Sequence, residues 1–388
     1  MTHHTRHCHR AMPIVVSTSV EYCRAGCRTN ISSSSSAMIL EDDGDPIASR
    51  DQLDTLVPRR MITPLVKAKS DKQGSMQVLW HFGLLVISAN LIPATWLSTL
   101  VTAFVSSFFF AGLHECVHRT AFRTPVWNDI WAHIFGFLCV RPAAHYRYYH
   151  WQHHKYTGNT DLDAELLPGS FLDFPVDTIG GYFVYLSGIP FWMDAIFTTV
   201  RHARGRCSEI YLVTDRARRH VTTEARWYST MYAGLAGLGL SSPIVGGFLW
   251  RFWVLPALLG QPFLRFYLLT EHRGRADTSI ITENTRTMVT NRLYRKMAWN
   301  MSFYQEHHAW PSVPFHRLAH AHELLVNATP AAAAATTTTI TTTKQTDERS
   351  ELEAGEQIAS GTKGYLYFHA KFLQSLLRKD SRREKVTH

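Results

Sequence analysis

Polar and apolar positions are segregated along this chain more sharply than in a water-soluble protein. From Gln73 to Leu113 there is no Asp, Glu, Lys or Arg, and from Trp227 to Thr270 only Arg251 and Arg265 interrupt the apolar pattern. Each run is about twice the ~20 residues a helix needs to cross a bilayer. The first, over residues 76–112, would measure ~55 Å as one helix, against a hydrocarbon core of ~30 Å. The pattern therefore predicts two hairpins. The first breaks near Asn90 to Pro93 and the second between Ser241 and Arg251. The expected fold is an all-α integral membrane protein with four transmembrane helices.

Charge sets the expected orientation. Lys67, Lys69 and Lys72 precede the first hairpin and Arg119 and Arg123 follow it, while its turn is uncharged. Both ends then belong on the cytoplasmic side. Two further apolar segments, 131–140 and 178–200, fit a span poorly. The first is too short, and the second contains Pro190 and Asp194. If only one of them crossed, the arginine-rich stretch from Arg201 to Arg226 would leave the cytoplasm. Both are therefore expected at the interface or against a cytoplasmic cap.

Three regions follow. Residues 1–75 read as a disordered N-terminal region, 76–326 as the membrane domain, and 327–388 as a low-complexity linker and charged tail. The N-terminal region carries His3, His4, His7 and His9, a serine run from Ser32 to Ser36, and one acid, Glu21, in its first forty residues. That composition is compatible with a transit peptide and equally with a plain disordered tail. It has no long apolar segment of the secretory kind. Residues 331–343, AAAAATTTTITTT, read as linker, and an amphipathic helix is expected near 364–378.

Composition changes this picture little. The 388 residues are 45% hydrophobic, with a formal net charge of +9. Basic residues beside apolar spans face anionic headgroups, and no basic, aromatic-interleaved motif for nucleic acid is present. Cys8, Cys23, Cys27, Cys116, Cys139 and Cys207 show no paired CxxC spacing, so neither a zinc ribbon nor a disulfide framework is indicated.

The chemistry lies in histidines at the ends of the apolar runs. His114-Glu-Cys-Val-His118 closes the first run, and its histidines are i and i+4 on one helical face. His150, His153 and His154 follow in HWQHH, at i, i+3 and i+4, expected on one face. His272 stands just past the last span, in TEH, and His307 and His308 come soon after. In the expected topology all eight lie on one side of the membrane, as a histidine-rich cytoplasmic cap. His81, His133, His145, His202, His220, His316, His320 and His322 are read instead as packing, interface or supporting residues. Eight imidazoles suit two metal ions with positions open to oxygen, and an all-nitrogen shell suits iron better than magnesium or calcium. HECVH also matches the HExxH motif of zinc proteases, with Glu115 as base. A single zinc needs about three protein ligands, which leaves most of the histidines without a purpose. A non-catalytic metal carrier should line the spans with its histidines, whereas these sit at their ends.

HECVH, HWQHH, TEH and QEHHAWPSVPFHRL resemble the histidine boxes of the membrane fatty-acid desaturase family, whose superfamily includes hydroxylases. The resemblance covers roughly residues 75–325. It implies two non-haem iron ions held by His114, His118, His150, His153, His154, His272, His307 and His308, with no catalytic residue beyond that centre. It implies oxygen as co-substrate and hydrogen removal from an unactivated acyl chain, carried as a lipid or a thioester. Electrons would come from NAD(P)H through cytochrome b5 or ferredoxin. No HPGG haem-binding motif occurs, so the donor is expected to be a separate protein. The third box departs from the family pattern HxxHH, because Tyr304 stands where its first histidine is expected. Tyr304, Asn300, Asp161 and Glu306 are therefore read as an altered ligand or as side chains that orient ligand imidazoles, with Glu115, Asp163 and Glu165 close by. Hydroxylation at the same centre is the alternative reaction, because both begin with hydrogen abstraction. The endoplasmic reticulum is the expected membrane, with a plastid or mitochondrial membrane as the other route.

Overall fold

The computed structural model describes residues 53–90, 95–168, 170, 174–339 and 364–386. Among these residues the secondary structure is helical. The chain begins with α1, Arg59–Val66, and α2, Asp71–Asn90. Helix α3, Trp96–Ser107, continues through Phe108 into α4, Phe109–Val117. Thr95 starts α3 by accepting a hydrogen bond from the Ser98 amide at 3.4 Å, which satisfies an amide that has no partner within the helix. Helix α2 ends at Asn90, where the expected hairpin turn begins; residues 91–94 of that turn lie outside the described residues.

Helices α5, Pro125–Leu138, and α6, Ala143–Tyr156, follow. Helices α7, Ile179–Ser187, and α8, Ile189–Ala203, meet at a bend of 52°. Helix α9, Asp215–Ser241, ends at Ser242. Ser242 then caps α10, Pro243–Leu249, accepting from the Val245 amide at 3.4 Å. Proline at the first position of α10 supplies no amide hydrogen and cannot continue α9. A π-helical turn, Trp250–Val254, joins α10 to α11, Leu255–His272. The remaining helices are α12, Ile281–Asn284, α13, Arg292–Met297, α14, Tyr304–Ala309, α15, Leu318–Thr339, and α16, Gly364–Val386.

Two stretches are long and apolar enough to cross a membrane: Trp96–Val117 and Pro243–His272. The α7–α8 pair would make a third only as one broken span. Helices α2 and α9 form the other halves of the two expected hairpins but are more polar. The first begins at Asp71-Lys72, and the first third of the second is charged. The apolar helices still expose large side chains: Leu240, Ile244, Trp96, Leu79, Phe248 and Trp250 all face outward. Exposed apolar side chains of this size on such helices suit lipid rather than water.

Helix α11 lies directly on α3. A Cβ at Gly260 would come within 2.8 Å of the Ala103 carbonyl oxygen, so only glycine permits this approach. The helices thereby bring the C-terminal ends of α4 and α11 together, and those ends carry His114, His118 and His272. Trp299 is fully buried below them. Its indole N–H donates to His81 Nδ1 at 3.2 Å, and His81 Nε2 lies 2.8 Å from the Val105 carbonyl. His81 is thus a packing residue, as its isolation in the sequence implies.

Two expectations change and one holds. Residues 53–75 are not disordered. Leu53, Val57, Ile62 and Leu65 are buried in the main core, because that short segment carries enough apolar side chains to dock. Helix α15 runs through the alanine tract to Thr339, where a linker was expected; alanine has the best intrinsic helix propensity. The C-terminal helix begins at Gly364 as expected and packs on α11, with His369 Nε2 2.7 Å from the Phe266 carbonyl. His3, His4, His7, His9, Cys8, Cys23 and Cys27 lie outside the described residues.

Candidate metal centre

Helix α6 delivers three of the eight histidines, and it does not point them the same way. Successive helical residues are rotated by about 100°, so His153 and His154 leave opposite flanks of His150. His150 and His154 join His114, His118 and His307 in one group, and His153 joins His272 and His308 in a second. In each group one nitrogen per residue lies within 4.8 Å of all the others. Helix α14 divides its pair in the same manner. His307 enters the first group and His308 the second. Tyr304, one turn before His308, stands on the same face, and its hydroxyl oxygen is 3.1 Å from His272 Nε2. All eight histidines therefore come together, with Tyr304 beside the second group.

The first group is a convergence of Nε2 atoms. His150 Nε2 is 2.8 Å from His118 Nε2 and 3.0 Å from His154 Nε2, which lies 3.2 Å from His307 Nε2. A contact between two such nitrogens is a hydrogen bond only when one bears a proton and the other does not. Five converging rings cannot all satisfy that rule. The outward Nδ1 atoms of His118, His150, His154 and His307 are buried without a hydrogen-bond partner, as are both nitrogens of His114. Burial, reinforced by the neighbouring imidazoles, pushes His118, His150, His154 and His307 well below the usual histidine range. The rings are thus neutral, with lone pairs directed at a common point, which is the state in which imidazole binds a metal. The donor set fits a transition-metal ion.

The second group is braced from outside. His272 Nδ1 donates to the Asn284 carbonyl at 2.9 Å. This fixes the tautomer and leaves Nε2 as the acceptor facing Tyr304. His308 Nδ1 lies 3.3 Å from Thr157 Oγ1. His153 Nδ1 lies 2.9 Å from Asp163 Oδ1, both side chains being buried. Asp163 is itself held by the amides of Gly158 at 3.0 Å and Glu165 at 2.9 Å. Burial alone would depress His153, but Asp163 and Glu165 outweigh it and lift the ring to about 9. A carboxylate behind a ligand imidazole orients the ring and raises its basicity.

The acidic and polar candidates separate clearly. Asp163, not Asp161, meets a histidine; Asp161 is exposed in the turn beginning at Asn159. Both carboxylate oxygens of Glu306 point away from the rings, one to His322 Nδ1 at 2.6 Å and the other to the Thr287 hydroxyl. Asn300 donates to the Phe315 carbonyl at 3.0 Å and so braces the chain beyond α14. Glu115 is fully buried and accepts from Thr120 Oγ1 at 2.8 Å and the Phe315 amide at 3.2 Å. That oxygen joins α4 to the segment after α14, and the other lies 4.0 Å from His307 Nδ1, behind a ring of the first group.

A cavity of about 240 Å³ opens beside both groups, reaching His114, His150, His272 and Tyr304. Its wall also includes Arg141 and Arg265, which the sequence reading does not single out. The signal is there in hindsight, since Arg265 is one of only two charges in the second apolar run, and an ionisable residue within such a run is rarely idle.

A family model described as "Fatty acid desaturase" matches residues 90–339. Among curated proteins, the sn-1 oleoyl-lipid 12-desaturase of Arthrospira platensis is 25% identical over 207 residues, covering 50% of this chain and 54% of the relative. The protein of the same name from Picosynechococcus sp. is 29% identical over 174 residues, covering 43% and 49%. That from Anabaena variabilis is 32% identical over 85 residues, covering 22% and 23%. The chain spans about half the length of the first two relatives.

Proposed function

We propose that this chain, which belongs to the fatty acid desaturase family, performs oxygen-dependent desaturation of an acyl lipid at two iron ions held by the two histidine groups. The observation that carries the reading is the division of eight buried histidines into two adjacent groups beside one cavity. His114, His118, His150, His154 and His307 would hold one ion. His153, His272 and His308 would hold the other, with Tyr304 completing the set where the family has a further histidine. Iron bound there supplies the oxygen-activating chemistry that an unactivated C–H bond requires, because no acid or base can remove such a hydrogen.

The remaining roles belong to the protein. Asp163 holds His153, and the Asn284 carbonyl holds His272, so that each imidazole keeps one nitrogen directed inward. Glu115 ties α4 to the segment after α14 and keeps the two ends of the centre in register. Tyr146, 5.1 Å from His150 between ring centres, walls the cavity and helps exclude water. Oleoyl lipid is named as the substrate of the relatives, which supports an acyl lipid here.

The same reading takes α2 with Trp96–Val117, and α9 with Pro243–His272, as two membrane hairpins in a domain spanning residues 76–326. The histidine end would face the cytoplasm, and α7 and α8 would lie along the interface. A separate donor, cytochrome b5 or ferredoxin, would deliver electrons from NAD(P)H to that face. An endoplasmic-reticulum membrane suits the cytochrome, whereas the cyanobacterial relatives suit a plastid membrane. Expression in yeast followed by lipid mass spectrometry tests the activity. An acyl product lighter by two hydrogens, absent in His153→Ala, is expected. A product heavier by one oxygen would replace desaturation by hydroxylation, and no product with two irons bound would overturn both.

A further inference from the structure

The wall of the cavity carries a guanidinium that forms no ion pair with a carboxylate among the described residues. Arg141 leaves the chain between α5 and α6 and is about nine-tenths buried. Its Nε is buried without a hydrogen-bond partner. Among the described residues no carboxylate reaches ion-pair distance of it. Its neighbours are aromatic faces: the guanidinium carbon is 5.2 Å from the Tyr146 ring, 5.1 Å from Tyr149 and 5.7 Å from Phe191. Arg265 approaches the same Phe191 ring, at 4.5 Å. Ring faces attract a cation, but less strongly than its desolvation opposes burial. Two guanidiniums thus approach one ring and line one cavity, and Arg141 is the one that lacks a carboxylate partner among the described residues. Glu165 and Glu271 also line the cavity, yet neither pairs with Arg141.

A tunnel for a purely hydrocarbon chain needs no such groups. We propose that the substrate carries an oxyanion, carboxylate or phosphate, and that Arg141, with Arg265, receives it inside the cavity next to the histidines. The inference rests on the desaturase reading for the identity of the cavity and adds the class of amphiphile that fits it. Tyr146 packs against both Arg141 and His150, and all three line the one cavity. The planar fork of a guanidinium matches either oxyanion through two parallel hydrogen bonds.

The test uses the metal-loaded full chain in detergent, with oleate, oleoyl lysophosphatidate and methyl oleate as probes, each displacing a fluorescent fatty acid. Oleate or the lysophosphatidate should bind at least about tenfold more tightly than methyl oleate, and whichever binds more tightly names the oxyanion. Arg141→Met should erase that preference while leaving methyl oleate unchanged. Equal binding of the three probes by wild type, or an unchanged preference in Arg141→Met, would overturn the proposal. Failure of the desaturase reading would appear separately, as missing iron or missing product while charge-dependent binding persists.

Discussion

His153 and Asp163 lie ten residues apart in sequence and 2.9 Å apart in space, both buried. Two amides from the same turn clamp the carboxylate, so this carboxylate is positioned before any metal arrives. Asp163→Asn keeps the shape and removes the charge behind the imidazole. We expect the metal affinity of the second group to fall about 10–100-fold, with the first group less affected. Iron per chain, titrated against a chelator, measures this; unchanged stoichiometry and affinity would dismiss the role of Asp163.

Adjacent histidines serve different groups. His153→Ala and His154→Ala should therefore each lower iron content, but by emptying different positions. Mössbauer spectra of the two variants should retain different signals. Identical spectra would mean that the eight residues form one undivided site.

Tyr304 stands beside the second group, with its hydroxyl 3.1 Å from His272 Nε2. Tyr304→Phe should reduce the metal occupancy of that group, whereas Tyr304→His should keep two ions per chain. Elemental analysis of the three purified proteins decides it. Two ions in all three would make the hydroxyl dispensable.

Gly158 donates to Asp163 with a backbone φ of +80°, and a Cβ there would meet the Thr278 carbonyl oxygen at 2.2 Å. Gly158→Ala combines left-handed strain with a backbone clash and should cost about 1–3 kcal/mol. A thermal midpoint lowered by several degrees in detergent is the expected reading; a midpoint equal to wild type would contradict it.

Away from the centre, Glu209 is bound by His202 Nε2 at 2.6 Å and by Arg201. Burial alone would raise its carboxyl, but the His202 and Arg201 contacts prevail and hold it at about 2, against an ordinary value near 4.5. A carboxyl depressed by folding contributes stability that is complete above the unfolded value and lost as pH falls toward the folded one. The stability gap between wild type and Glu209→Gln should be constant near neutrality and shrink from about pH 4.5 down to about 2. Thermal midpoints across that range test it, and a constant gap would remove Glu209 from the balance.

The alternation of apolar runs and histidine clusters already carries the helical class, the break before α3, the break at Ser242 and all eight histidines. Those features are local. A span is a matter of composition over some twenty residues, and a metal-binding box is a matter of spacing within one helix. Helical spacing puts His150, His153 and His154 of HWQHH on one face but does not say that neighbours on that face serve different groups. Asp161 and Asp163 likewise looked equivalent until the turn beginning at Asn159 buried one and exposed the other.

The sequence by itself determined which side chains the centre could use, because ligand type and helical spacing are written in the chain. Only the tertiary structure decided how they are shared between two groups. It also decided that Tyr304 belongs beside His272, and that Arg141 and Arg265 meet in one cavity. Those residues lie on different helices, and which faces of two helices meet depends on close packing such as Gly260 against Ala103, which no single segment encodes.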